Sequence, residues 1–212
     1  MIISHKSKYI YFAVPKTATH SVREALHQHS KDGDWEQQAL YVDESIGKQT
    51  IPISEIALIG HGHISVTQIK PHIPTDQWLE SFKFAFVRNP FDRFVSVCFF
   101  LNRNNPEFSN NSLAWMKSAI SHPRFQQRVL VRPQFMQLTD EKSHLAMDYI
   151  GRYETLQESM NLVNDALKFP RTILKVKNKS DHADYRSYYD DELFSLVSDF
   201  YKADINNLDY KF

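Results

Sequence analysis

The chain has few of the features that mark disulfide-bonded, membrane-embedded or strongly charged proteins. Cys98 is the only cysteine in 212 residues, so no intrachain disulfide can form, and its apolar neighbours predict a core position. We find no run long enough to span a membrane and no signal peptide, and we therefore expect a cytoplasmic protein. Lys plus Arg and Asp plus Glu number 25 each, a balance that disfavours a general polyanion binder or a nucleic-acid partner.

Apolar strand patterns at residues 9–14 and 84–87 are each followed by a helical pattern. The order strand–helix–strand–helix favours an α/β fold with a central parallel sheet flanked by helices, a P-loop-like three-layer sandwich. We expect one domain over residues 1–212. Later helices are predicted at 156–167 and 190–203, and irregular segments at 31–50 and 102–111.

Glycine is also scarce, with five in the chain and none between Met1 and Ser30. The first strand–helix turn therefore cannot be a Walker A loop, which needs a glycine pair before its Lys. Arg88, rather than an acidic residue that would hold Mg²⁺, follows the second strand. Both absences disfavour a P-loop-like nucleotide kinase, which needs a metal to offset the charge of the phosphoryl group.

The first turn has the sequence Val14-Pro15-Lys16-Thr17-Ala18-Thr19-His20-Ser21. A strand that turns into a helix presents unpaired N–H groups and a partial positive charge to an anion. Lys16 adds a full charge, and Thr17, Thr19 and Ser21 add hydroxyl donors. The segment predicts an anion-binding turn; the alternative is an ordinary turn with a solvated lysine.

The second turn is followed by Asn89 as N-cap and Pro90 at the first helical position. The planar fork of Arg88 and the hydroxyl of Ser96 are suited to a phosphate. Arg93 lies on the same helical face as Ser96, where we expect it to make a structural ion pair; direct contact with the ligand is the alternative. The turn as a whole could also be an ordinary helix N-cap with surface arginines. Two such turns imply a ligand with two separate anionic groups.

Residues 58–63 predict a third strand end and include Gly60-His61-Gly62-His63. A histidine accepts a proton near neutral pH, and glycines allow close approach of a substrate. We predict His63 as a general base, with His61 as second candidate or substrate contact. A metal site with His72, histidines that only satisfy loop hydrogen bonds, and Glu154 as a rival base are the alternatives.

Together the two turns resemble the 5′-phosphosulfate and 3′-phosphate motifs of the carbohydrate sulfotransferases, including the Golgi heparan and chondroitin types. The Gly-His-Gly-His stretch is similar to that of the uronyl-type 2-O-sulfotransferases. The likeness continues through these segments: Pro133-Gln134, Asp148 to Glu154, Asn178-Lys179-Ser180, Tyr185-Arg186, Tyr188-Tyr189, Asp204-Ile205 and Tyr210 to Phe212. It implies transfer of a sulfuryl group from 3′-phosphoadenosine-5′-phosphosulfate (PAPS) to a carbohydrate hydroxyl, without a metal.

By this resemblance, Lys16 contacts the phosphosulfate and its bridging oxygen, and Arg88 and Ser96 hold the 3′-phosphate. The 5′ end is wrapped by the residues that follow the lysine: Thr17, Ala18, Thr19, His20 and Ser21. The segment Asn178, Lys179 and Ser180 resembles the loop that closes over the nucleotide. Ala18 replaces a glycine common in the family and His20 replaces a Ser or Thr, so a nucleotide-binding module without catalysis is an alternative.

Arg124, Arg128 and Arg132 recur every four residues between Pro123 and Pro133. If this segment is helical, the three arginines form one stripe that could guide an acidic glycan to the site. A solvated basic face is the alternative. The oligomeric state is not predicted.

Overall fold

The computed structural model describes residues 1–37, 51–175 and 183–212. Its contacts divide the chain into two compact units, residues 1–87 with 137–177 and residues 88–136 with 178–212. Each unit has an apolar core of its own. The expectation of one domain over residues 1–212 stays a prediction.

The first unit is built on a mixed sheet. Its described strands are β1 (Ile2–Ser4), β2 (Tyr9–Phe12), β3 (Trp35–Glu36), β4 (Phe82–Val87) and β5 (Tyr149–Arg152). They form a five-stranded sheet in the order β3-β1-β2-β4-β5, counted over the described ranges. β2, β4 and β5 are parallel, whereas β1 is antiparallel to both β2 and β3. The prediction of a parallel sheet is therefore wrong for the β1 and β3 side, because the short β1–β2 link can only return the chain antiparallel.

Helices cover both faces of this sheet. Those of the first unit, with α8 crossing its boundary, are α1 (Thr19–His27), α2 (Ser54–Ala57), α3 (Val66–Ile69), α4 (Thr75–Glu80), α8 (Gln134–Leu138) and α9 (Leu156–Leu167). Tyr9 and Tyr11 point to the face that packs on α1 and α9. Phe12 points to the opposite face, where its ring lies 6.3 Å from that of Trp78 in α4. The architecture is thus α/β, a sheet flanked by helices.

One edge of the sheet carries the segments of functional interest. β2 and β4 pair in parallel, with Phe12 opposite Ala85, so both strands end on the same side. The chain leaves β2 through Ala13 and Val14, and it leaves β4 immediately after Val87. In parallel α/β sheets this carboxyl edge is where ligands bind.

The second unit is helical over its described residues, with α5 (Pro90–Leu101), α6 (Ser112–Ser121), α7 (Pro123–Gln126), α10 (Asp191–Phe200) and α11 (Lys202–Asn207). Its core is rich in aromatic side chains and includes Phe91, Phe94 and Cys98, the last fully buried as predicted.

The helix predictions are confirmed in one case and partly in another. The predicted helix 156–167 is α9, with the same bounds. The predicted helix 190–203 is interrupted at Tyr201, where φ −99° and ψ 20° end α10 before α11 begins. The segment 31–50 contains β3, and its residues 38–50 lie outside the described part. Segment 102–111 is irregular apart from a single 3₁₀ turn at Phe108–Asn110.

Candidate active site

The turn between β2 and α1 has an unusual backbone. Lys16 and Ala18 both adopt left-handed conformations, with φ of 65° and 60°, and Thr17 lies between them outside that region. Left-handed residues in a turn are one component of the backbone nests that bind anions. The Thr17 hydroxyl donates to the Val14 carbonyl oxygen at 2.9 Å and braces the turn. The alanine found in place of the family glycine therefore occupies the conformation that glycine favours.

α1 begins without a side-chain cap. Ala18 is its N-cap residue, no side chain accepts a hydrogen bond from its first turn, and that turn contains no acidic residue. The positive end of its dipole therefore meets no acidic side chain from its own first turn, which suits an anion. The Ser21 hydroxyl donates to the Lys175 carbonyl oxygen at 2.7 Å, so it fixes the helix to a neighbouring segment. Thr19 is buried and His20 is exposed.

His63 is held in one tautomer by the end of β2. Its Nδ1 lies 2.8 Å from the Ala13 carbonyl oxygen. Because a carbonyl can only accept, Nδ1 carries the proton and Nε2 keeps its lone pair. Burial lowers the pKa of His63 from 6.5 to about 3; the hydrogen bond to Ala13 opposes this, and the charge of Arg23 adds to it. His63 is thus a neutral imidazole at working pH, with an unprotonated Nε2.

A buried cluster fixes the histidine segment to the rest of the first unit. A Cβ on Gly62 would lie 2.2 Å from the Gln37 carbonyl oxygen and 2.5 Å from Nη2 of Arg23. The glycine is therefore required by packing against the protein itself, rather than by approach of a substrate as predicted. His61 accepts a hydrogen bond at Nδ1 from the His63 N–H, at 3.3 Å. This contact makes His61 a brace for His63.

Gln137 contacts the end of β2, which the sequence did not predict. Its Nε2 donates to the Ala13 carbonyl oxygen at 3.1 Å and to that of Ile64 at 3.2 Å. It joins the end of β2 to the residue after His63. The Ala13 oxygen therefore accepts from both His63 and Gln137.

In the second unit, Arg88 is already engaged by an acidic side chain. Its Nε and Nη2 donate to the two carboxylate oxygens of Asp92, at 2.7 and 2.8 Å, and Arg88 is buried. Asn89 caps α5 as predicted by accepting from Phe91 N–H, and it donates to the Lys211 carbonyl oxygen at 2.7 Å. Ser96 is fully buried in α5. A phosphate on Arg88 would share the guanidinium with Asp92, a contact that sequence reasoning missed although the spacing is the ordinary i, i+4.

Arg93 has a structural role, as predicted, but with carbonyls as its hydrogen-bond partners. Its guanidinium donates to the main chain of the segment that precedes α8, namely to the carbonyls of Leu130, Val131 and Arg132. It also lies 5.1 Å from the ring centroid of Tyr201. No carboxylate lies within ion-pair distance of it in the described ranges.

The predicted arginine stripe does not form as a helical feature. α7 ends at Gln126, so only Arg124 lies in it, whereas Arg128 and Arg132 follow in turns. His122 accepts from the Arg124 N–H and starts the helix, but the chain then bends within one turn. All three arginines are exposed.

Asn178, Lys179 and Ser180 lie outside the described residues. Within the described ranges, no three His, Cys, Asp or Glu side chains are grouped as metal ligands would be. The same residues include no helix with the length and apolarity needed to cross a bilayer.

Comparison with known proteins identifies the family. Neither the curated proteins nor the solved structures gave a match. The family model described as "Sulfotransferase family" matches residues 1–211, nearly the whole chain. This match covers both strand–helix turns, the histidine segment and the closing residues up to Lys211. The chain therefore belongs to the sulfotransferase family.

Proposed function

We propose that this protein transfers the sulfuryl group of PAPS to a hydroxyl group of a carbohydrate, with His63 as general base. The observation that carries the proposal is the position of Ala13. Its carbonyl oxygen orients His63 at 2.8 Å, and three residues later Lys16 opens the left-handed turn that precedes α1. One strand end thus supports both a base and an anion cradle.

The donor would bind with its 5′-phosphosulfate at this turn. The N–H groups of the turn, the start of α1 and the ammonium of Lys16 suit the oxygens of the phosphosulfate. They also suit the charge that develops on the 5′-phosphate as it leaves. The 3′-phosphate is assigned to Arg88 and Ser96, with Asp92 holding the fork of Arg88 in place. Because Ser96 is fully buried, contact of its hydroxyl with the phosphate requires a local movement at the start of α5.

In the transfer step, the acceptor oxygen forms a bond to sulfur, and the bond between sulfur and the bridging oxygen of the donor breaks in line. The proton of the acceptor hydroxyl moves to Nε2 of His63. Because His63 has a low pKa, it accepts this proton only as bond formation to sulfur makes the hydroxyl strongly acidic. The products are the sulfate ester and 3′,5′-adenosine bisphosphate.

A carbohydrate acceptor is supported by the likeness of residues 60–63 to the uronyl-type enzymes. Uronic-acid-containing oligosaccharides are therefore the first acceptors to test, with neutral oligosaccharides beside them. Formation of a sulfate ester only on the uronic-acid compounds would support this acceptor class.

The donor proposal is tested by calorimetric titration with 3′,5′-adenosine bisphosphate, with ATP as the comparison and no added metal. We expect the bisphosphate to bind more tightly than ATP. Lys16→Ala should weaken this binding and abolish transfer. ATP binding that is tighter and depends on Mg²⁺ would contradict the proposal in favour of a kinase-like protein.

The base is tested by His63→Asn, whose side-chain N–H can still donate to Ala13 while Nε2 is lost. Transfer should fall by about 10²–10⁴-fold with bisphosphate binding unchanged. Full activity in this variant would show that another residue accepts the proton. Bisphosphate binding without any transfer by the wild type would favour a binding module instead.

A further inference from the structure

The side-chain amide of Gln134 pairs with the peptide of Arg88. The Arg88 N–H donates to Oε1 of Gln134 at 2.9 Å, and Nε2 of Gln134 donates to the Arg88 carbonyl oxygen at 2.8 Å. Gln134 is 1% exposed. Arg88 lies between the end of β4 and the start of α5. Its peptide groups pair with the side chain of Gln134, as they would with the main chain of a neighbouring strand.

Asp204 fixes Gln134 in turn. Its fully buried carboxylate accepts from the N–H groups of Gln134 and Phe135, at 2.9 and 2.8 Å. It also accepts from Nε2 of Gln134 at 3.2 Å. Both acceptors of Nε2 are oxygens, so the amide cannot be reversed without two repulsive contacts. The orientation of Gln134 is therefore set by the chain around it.

Arg93 supports the same segment from the other side. It donates to the carbonyls of the three residues 130–132, just before Pro133 and Gln134. Burial raises the pKa of Asp204, which the neighbouring Arg93 opposes. The main chain of Arg88 is thus held by a buried network of Gln134, Asp204 and Arg93, all within the second unit.

Positioning matters for Arg88 because Asp92 already balances its charge. A guanidinium that is paired with a carboxylate attracts a distant phosphate weakly, and it contributes through the directions of its N–H groups. Those directions depend on where the peptide of Arg88 is held. The hydrogen bonds of Gln134 to the Arg88 main chain and the contact of the guanidinium with Asp92 together determine the directions of these N–H groups.

We propose that Gln134 and Asp204 are positioning residues for the 3′-phosphate of the donor, acting through the backbone of Arg88. This inference rests on the proposed function. It assigns a role to Pro133-Gln134 and Asp204-Ile205, two segments separated by about seventy residues whose contact the sequence did not reveal.

The test compares two ligands that differ only in the 3′-phosphate, 3′,5′-adenosine bisphosphate and adenosine 5′-monophosphate. We expect the wild type to bind the bisphosphate more tightly. Gln134→Leu should weaken bisphosphate binding by about tenfold and leave monophosphate binding unchanged, so that the ratio of the two dissociation constants falls. A general loss of structure would instead weaken both ligands.

Gln126→Leu is the matched control. Gln126 also donates to a main-chain carbonyl in the second unit, that of Ile120 at 2.7 Å, but it does not contact Arg88. Its removal should leave both affinities unchanged. Asp204→Asn and Gln134→Glu serve as further variants if Gln134→Leu does not fold, since each keeps the shape of the side chain and disrupts the hydrogen bonds.

The outcomes separate the two proposals. A wild type that binds both ligands equally would overturn the proposed 3′-phosphate site, and this inference with it. A wild type that prefers the bisphosphate, with the same preference in the folded Gln134 and Asp204 variants, would overturn this inference alone.

Discussion

Ala18 carries a backbone conformation that costs free energy in alanine. Its φ of 60° and ψ of 35° lie in the left-handed region, where the Cβ of an L-residue is crowded by about 1–2 kcal/mol. The cost is borne at the first turn of α1, beside Lys16, which has the same conformation. Backbone strain of this kind gathers at ligand sites.

We therefore expect Ala18→Gly to stabilise the protein by about 1 kcal/mol, since relief of the strain exceeds the entropy that glycine adds to the unfolded chain. The measurement is urea unfolding. Ala25→Gly is the matched control, because Ala25 is buried within the same helix and its replacement should destabilise by at least about 1 kcal/mol. A loss of stability in Ala18→Gly would show that the backbone of Ala18 is not strained.

At the scale of elements, β5 is joined to β4 and α9 at a single glycine. A Cβ on Gly151 would lie 2.6 Å from Cδ1 of Phe86 and 2.9 Å from Cβ of Ser159. Neither neighbour is at the end of a long flexible side chain. The strand, the adjacent strand and the helix are thus packed without room for a methyl group.

Gly151→Ala should destabilise the protein by about 1–3 kcal/mol through this overpacking. Combination with Phe86→Leu should recover part of the loss, because the smaller side chain leaves room beside the new methyl. Unfolding of the two single variants and the double variant gives the coupling. Strict additivity would show that Phe86 is not what opposes the added methyl.

The elements also show which parts of the structure can be predicted from the sequence. α9 was predicted with its bounds because its apolar residues recur at helical spacing over twelve positions. β1 was missed because its three residues are too short to show a pattern. The arginine segment kept the i, i+4 spacing but bends after Gln126. Local periodicity is visible in a sequence, whereas turns inside a periodic stretch are not.

The candidate site divides in the same way. The two strand–helix turns follow from residue types beside strand patterns. The strand predicted before His63 is wrong, because α2 (Ser54–Ala57) and a turn precede it. The pairing of Gln134 with Arg88 joins residues far apart in the chain, and so does the contact of Gln137 with Ala13. Contacts of this range depend on how elements pack, which no local pattern encodes. The reason for Gly62, a clash with Gln37 and Arg23, also became apparent only in three dimensions.

At the scale of the whole molecule, the half-buried His63 and the buried Asp204 give opposite responses to acid. The pKa of His63 is lowered in the folded protein, so the unfolded chain binds more protons between pH 6.5 and about 3, and stability falls as pH falls through this window. The pKa of Asp204 is raised by burial, so its contribution has the opposite sign and is lost as pH rises.

Protonation of His63 in the unfolded chain should lower the free energy of unfolding by about 2 kcal/mol between pH 7 and 5. Urea unfolding at both pH values should show this loss in the wild type and a smaller one in His63→Asn. Equal losses in the two proteins would contradict a neutral His63 with a lowered pKa.

The acceptor that orients His63 is a main-chain oxygen, and this affects how the site can change in evolution. A substitution at position 13 alters a side chain but leaves the peptide carbonyl in place. Point mutation at residue 13 therefore leaves in place the group that sets the tautomer of His63. If a side-chain carboxylate accepted the hydrogen bond from His63 instead, a single substitution could remove it. Substitutions at this position can alter the packing around β2. The direction of the Nε2 lone pair of His63 does not change, because it depends on the main chain that follows the strand.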